Sequence, residues 1–118
     1  MLFSNDRSAL SNQSCFFFIR EFARDSQFSV SQTDIRALSY AYVLKIPVVT
    51  DDSDMLEVAK EFNISTYKTL ELLKLMMDNG SVTMRQIRAI ASYWIYQNDT
   101  PESYRKDFKR IFLEDPPE

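Results

Sequence analysis

Histidine is missing from the chain altogether. That removes histidine-based acid–base relays, Ser-His-Asp triads and zinc sites with imidazole ligands. Cys15 is the only cysteine, so neither a disulfide within the chain nor a thiolate metal cluster can form. Beside "CFFFI" it reads as a small core hydrophobe. With one glycine and four prolines, the chain has little material for the tight turns of a many-stranded β fold, which favours helices. No apolar run is long enough to span a bilayer, and none has the placement of a signal peptide. A cytoplasmic protein with no membrane partner is therefore expected. The formal charge of −3 gives no support to a strongly basic grip on nucleic acid, although a local one remains open. Among catalytic chemistries the main survivor is carboxylates around a hard cation, Mg²⁺ or Mn²⁺.

What is present is apolar and aromatic. Apolar residues make up 45% of 118 positions, with nine Phe and six Tyr, enough for a globular core in a chain of one domain's length. The spacing predicts helices over "CFFFIREFAR", "DIRALSYAYVLK", "DMLEVAKEF", "KTLELLKLMMDNG" and "SVTMRQIRAIASYWIYQND". Ser31 with Asp34, and Thr83 with Gln86, have capping-box spacing. Gly80 sits where a helix should stop. Thr100-Pro101 is expected to start a last helix, with Pro101 in its first position. "IPVVT" reads as a short buried strand and "NISTY" as a weaker one. "EDPPE" reads as a frayed tail. The order of elements implies a small α/β domain over residues 1–118, with a short parallel sheet, helices around it and a helical C-terminal cover.

The stretch "VVTDDSDM" raises the functional question. Asp34 opens one helix, and Asp51 and Asp52 end the next strand. A helix of about 12 residues covers about 18 Å, and a strand of five about 17 Å. The chain therefore returns to where it started, and both acidic positions fall on one edge of the sheet. Open α/β sheets bind ligands there. Two carboxylates so placed repel unless a cation intervenes. The competing reading makes Asp34 the acid of a capping box, with Asp54 the cap of the following helix. That would leave Asp52 without a structural task.

The block "SVSQTDIRALSYAYVLKIPVVTDDSDMLEVAKEFNI" resembles the C-terminal half of PIN domains, a metal-dependent ribonuclease fold common among toxins. The resembling features are S-x-x-D opening a Leu/Ala-rich helix, a strand ending in T-x-D, and a helix closing on "NI". The helical pair "TLELLKLMMDNGSVTMRQIRAI" also fits. The likeness runs from about Phe16 to Phe112 and is strongest over residues 28–98. It implies that Asp34 is the third acidic position, Asp52 in Thr50-Asp51-Asp52 the fourth, and Thr50 the hydroxyl beside the metal. In such domains acids hold one or two divalent cations that activate water against a phosphodiester, with RNA as substrate. The family's first strand and early acidic positions have no clear counterpart before Asp34. Asp6 and Glu21 are the available substitutes, and a truncated or degenerate domain with an incomplete active site is expected. Such a sheet would expose an edge, which invites a homodimer or an antitoxin-like protein partner.

Two other functions compete. A non-catalytic interaction module would keep the fold and lack the chemistry. A helix-turn-helix DNA binder would present Arg85, Gln86 and Arg88 to a groove. Arg105, Lys106, Lys109 and Arg110 suggest phosphate contacts, but Glu102 and Asp107 interleave with them, as on an ordinary solvated face. Trp94 and the Phe-rich stretch near residue 17 read as core.

Overall fold

A computed structural model describes residues 12–118. The chain is mostly helical, with a two-stranded parallel sheet. It divides into two compact units, the boundary falling between Thr66 and Tyr67. Each has its own apolar cluster and is described by itself.

In the first unit, α1 (Asn12–Asp25) buries Cys15, Ile19 and Ala23 along one side. These lie four apart and so stack on one helical face. Helix α2 (Gln32–Leu44) buries Ile35, Leu38, Ser39 and Ala41. A buried serine needs partners, and Ser39 Oγ donates to the Asn12 carbonyl and side-chain oxygens at 2.8 and 2.7 Å. Strand β1 (Val48–Val49) follows, then α3 (Ser53–Glu61) and β2 (Thr66–Tyr67) at the unit boundary. Val48 N–H donates to the Ser65 carbonyl at 2.9 Å. Phe22, Phe28, Tyr42 and Val48 pack around the buried core of Ile19, Leu38, Val58 and Phe62.

The strand differs from expectation. "IPVVT" is not buried: Ile46 and Val49 are half exposed, 49% and 45%. The strand is only Val48–Val49: Val48 packs against the core and Val49 faces out, while Ile46 lies in the connection ahead of the strand.

In the second unit, α4 (Thr69–Asp78), α5 (Met84–Tyr96) and α6 (Tyr104–Phe112) enclose Leu70, Leu73, Ile87, Ala91, Tyr104, Phe108 and Phe112. Trp94 and Met76 pack against them. Gly80 has φ +86°. Around it the Gly80 and Ser81 amides donate back to the carbonyls of Met77 and Met76. This is a Schellman stop, and its left-handed residue favours glycine. The Thr83–Gln86 capping box is present at the start of α5.

Two local readings change here. The last helix begins at Tyr104 rather than at Pro101, because Ser103 takes a left-handed conformation with φ +61°. Pro101 instead accepts from the Tyr104 N–H in a turn. The segment 114–118 is not frayed: Pro116 and Pro117 are half-buried, and the Tyr104 hydroxyl donates to the Pro117 carbonyl at 3.4 Å. Among the described residues no helix is long and apolar enough to cross a membrane.

Candidate functional site

The acids singled out by sequence sit at two helix starts. Asp34 occupies the third position of α2. Its Oδ2 accepts from the Ser31 N–H at 3.2 Å, and its own N–H donates to Ser31 Oγ at 3.0 Å. This is the reciprocal capping box that the S-x-x-D spacing encodes. Asp52 is the N-cap of α3, and its Oδ1 accepts from the Met55 N–H at 3.0 Å.

Asp52 takes the capping role expected of Asp54. Asp54 does not cap α3. Its Oδ2 accepts from the Ser29 N–H at 2.7 Å, a bond across 25 residues. That link ties the connector ahead of α2 to the first turn of α3, so the two helix starts lie on the same side of the unit. Thr50 turns inward: its hydroxyl donates to Met55 Sδ at 3.4 Å and accepts from the Asp52 N–H at 3.1 Å. Asp51 is half-buried between them.

The Ser29–Asp54 bond thus holds the starts of α2 and α3, which carry Asp34 and Asp52, on one side of the unit. Each of these two acids also has a backbone donor. Among the described residues no group of three or more His, Cys, Asp or Glu is placed to hold a metal ion. Glu21 does not turn toward these acids; it pairs with Arg20 and Arg24 on its own helix. Asp6 lies outside the described residues.

A cavity of about 280 Å³ opens at the far end of the same unit, where α2 and α3 finish, bordered by Tyr42, Lys45, Ile46, Phe62 and Asn63. Lys45 and Asn63 both take left-handed backbone, with φ +58° and +56°. None of the candidate acids lines this cavity. Cys15 is fully buried and its thiol is pushed above the usual range by desolvation, against a smaller lowering from its hydrogen bond with Ser39. Such a thiol is a poor nucleophile.

In the second unit the sequence misplaced one acid. Asp107 does not interleave with the basic residues of α6. It is buried, 9% exposed, and faces Lys68 at 3.5 Å and Arg110 at 3.3 Å. The helical period could have shown this, since Asp107 falls between Tyr104 and Phe108 on the inner side. Arg88, one of the residues proposed to read a DNA groove, donates to Glu114 Oε1 at 2.7 Å and to the Asp115 carbonyl at 2.8 Å.

Compared with protein-family models, with curated proteins and with solved structures, the chain matches none. The likeness to PIN domains rests on the sequence pattern alone.

Proposed function

We propose that this chain is a non-catalytic protein-interaction module with a PIN-like arrangement of acids, and that it self-associates through the open side of β1. The observation that carries this reading is the engagement of the acids. Asp34, Asp52 and Asp54 each accept a backbone N–H. A carboxylate so held stabilises a helix start or a loop, and two ligands alone make a weak site for Mg²⁺ or Mn²⁺. Between the end of α2 and β1 the chain exposes Leu44, Ile46 and Val49 in close succession. A strand edge bordered by apolar side chains recruits another strand, and pairing two identical edges about a twofold closes the surface.

The test is light scattering across a concentration series. A dimer is expected, reduced to monomer by Ile46→Lys with Val49→Lys. A monomer at every concentration would end this reading.

A metal-dependent ribonuclease is the second reading. It is favoured by the Ser29–Asp54 bond, which holds both helix starts on one side. Its signature would be Mn²⁺-dependent RNA cleavage that disappears in Asp34→Asn.

A further inference from the structure

Helix α6 has an outer face of one sign. Tyr104, Phe108, Ile111 and Phe112 turn inward together with Asp107. Arg105, Lys106, Lys109 and Arg110 remain outside, at positions i, i+1, i+4 and i+5, all exposed. Residues so spaced form a continuous strip on a helix. No acid of α6 lies on that strip.

An acidic segment covers it. After Leu113 the chain reverses and runs back along the helix. Glu114 pairs with Arg88 at 2.7 Å, Asp115 with Lys109 at 3.5 Å, and Glu118 with Arg105 at 3.0 Å. The register is antiparallel: the later acid meets the earlier cation. Residues 67–118 contain eight basic and eight acidic side chains, of which three acids belong to residues 114–118. Without those three the unit carries a surplus of three positive charges.

We propose that this strip, with Arg88, binds the phosphate backbone of single-stranded nucleic acid, and that residues 114–118 are a displaceable mask occupying the same cations. Two of the three ion pairs of the mask are open to solvent. Lys109 and Asp115 are 72% and 85% exposed, and Arg105 and Glu118 62% and 80%. Pairs that open to solvent are weak and screened by salt. A polyanion gains counterion release on binding, which a short peptide of three carboxylates does not match.

Nucleic acid suits the strip better than a lipid surface for two reasons. The apolar side of α6 is already committed to the unit's own core, so apart from the C-cap Leu113, 86% exposed, the helix has no apolar face to insert into a bilayer. At its start lies a hollow bordered by Asn98, Thr100, Ser103 and Tyr104 with Arg105 and Lys106. A concave, hydrogen-bonding surface flanked by cations receives a nucleotide and offers nothing to a flat membrane.

The experiment is fluorescence anisotropy of a short labelled oligouridine with the full chain, titrated over a range of salt. Phosphatidylserine vesicles serve as the second probe. E114Q/D115N/E118Q keeps the shape of the segment and removes its charge. Each exposed pair is worth a factor of about two, so this variant should bind about tenfold tighter than the unsubstituted chain. Its plot of log affinity against log salt should be steeper by about 2, from three released cations at about 0.7 each. Adding R105Q and K109Q should remove about two thirds of both gains on a logarithmic scale, leaving the Arg88 share, and circular dichroism melts of all variants should agree within a few degrees. Equal affinity and equal salt slope with and without the three acids would overturn the mask. Vesicle binding tighter than oligouridine binding, or no oligouridine binding by the unmasked variant, would overturn the nucleic-acid surface.

Discussion

Replacing Asp52 separates a helix cap from a metal ligand, because alanine and asparagine remove different things. Asp52 Oδ1 accepts from the Met55 N–H at 3.0 Å. Met55 is buried, 6% exposed, so water replaces that bond poorly once the side chain is cut back. Loss of an aspartate N-cap costs about 1 kcal/mol, within a range of about 0.5–2. For a domain of roughly this size 1 kcal/mol moves the melting temperature by about 4–8 °C. Asp52→Ala should fall by that amount. Asparagine keeps an accepting oxygen and is as good an N-cap as aspartate. Asp52→Asn should therefore stay within about 2 °C of the unsubstituted chain, allowing a few tenths of a kcal/mol for the lost attraction to the helix dipole. Thermal unfolding by circular dichroism, with EDTA and again with millimolar Mn²⁺, reads both. The reasoning fails if Asp52→Asn is as damaging as Asp52→Ala, or if Mn²⁺ raises the melting temperature of the unsubstituted chain and not of Asp52→Asn. Either result would mean that the charge matters, as for a cation ligand, and that the accepting oxygen does not.

Other outcomes follow from the same geometry. Gly80 and Lys45 both hold left-handed positions after helices. Gly80→Ala should cost about 1 kcal/mol through backbone strain alone, since an added Cβ meets nothing within 4 Å, whereas Lys45→Gly should raise stability by a few tenths to 1 kcal/mol; paired denaturant melts decide. Phe108 is fully buried, so Phe108→Ala should cost about 3–5 kcal/mol, seen as loss of the near-ultraviolet signal of Trp94. The Cys15 thiol should resist iodoacetamide until the chain unfolds. Because burial raises its folded pKa, the stability it contributes is complete below the ordinary thiol pKa and declines as pH climbs from there through the folded value. A rapid, stoichiometric reaction of the native chain at neutral pH would show that Cys15 is accessible.

The features legible in the sequence are those closed within a few residues. Ser31 with Asp34 and Thr83 with Gln86 bond across a single turn, and Gly80 stops α4 by its own backbone freedom, so spacing alone located all three. The apolar stripe of α5 was equally clear, since a period of 3.6 residues is written in the order of side chains. In α1, by contrast, the buried face is Cys15, Ile19 and Ala23, and Phe17, read as core, is 48% exposed. Strand β1 has two residues rather than the five of "IPVVT", so the two helix starts are held on one side by the Ser29–Asp54 bond and not by matched element lengths. Other assignments depended on partners distant in the chain. Asp52 and Asp54 stand two residues apart with the same chemistry. Which one caps α3 was decided by the Ser29 amide, 25 positions earlier, which captures Asp54. Val49 looked buried because β-branched runs usually are, but a two-stranded sheet has too few neighbours to cover both faces. Asp107 joined the inner side of α6 because Lys68, 39 positions away, supplies a counter-charge there. Glu114, Asp115 and Glu118 looked like a loose acidic end until Arg88, Arg105 and Lys109 converged beneath them. Local hydrogen bonds repeat the chain's own numbering. Long-range electrostatics and burial depend on which surfaces meet, and only the folded chain sets that.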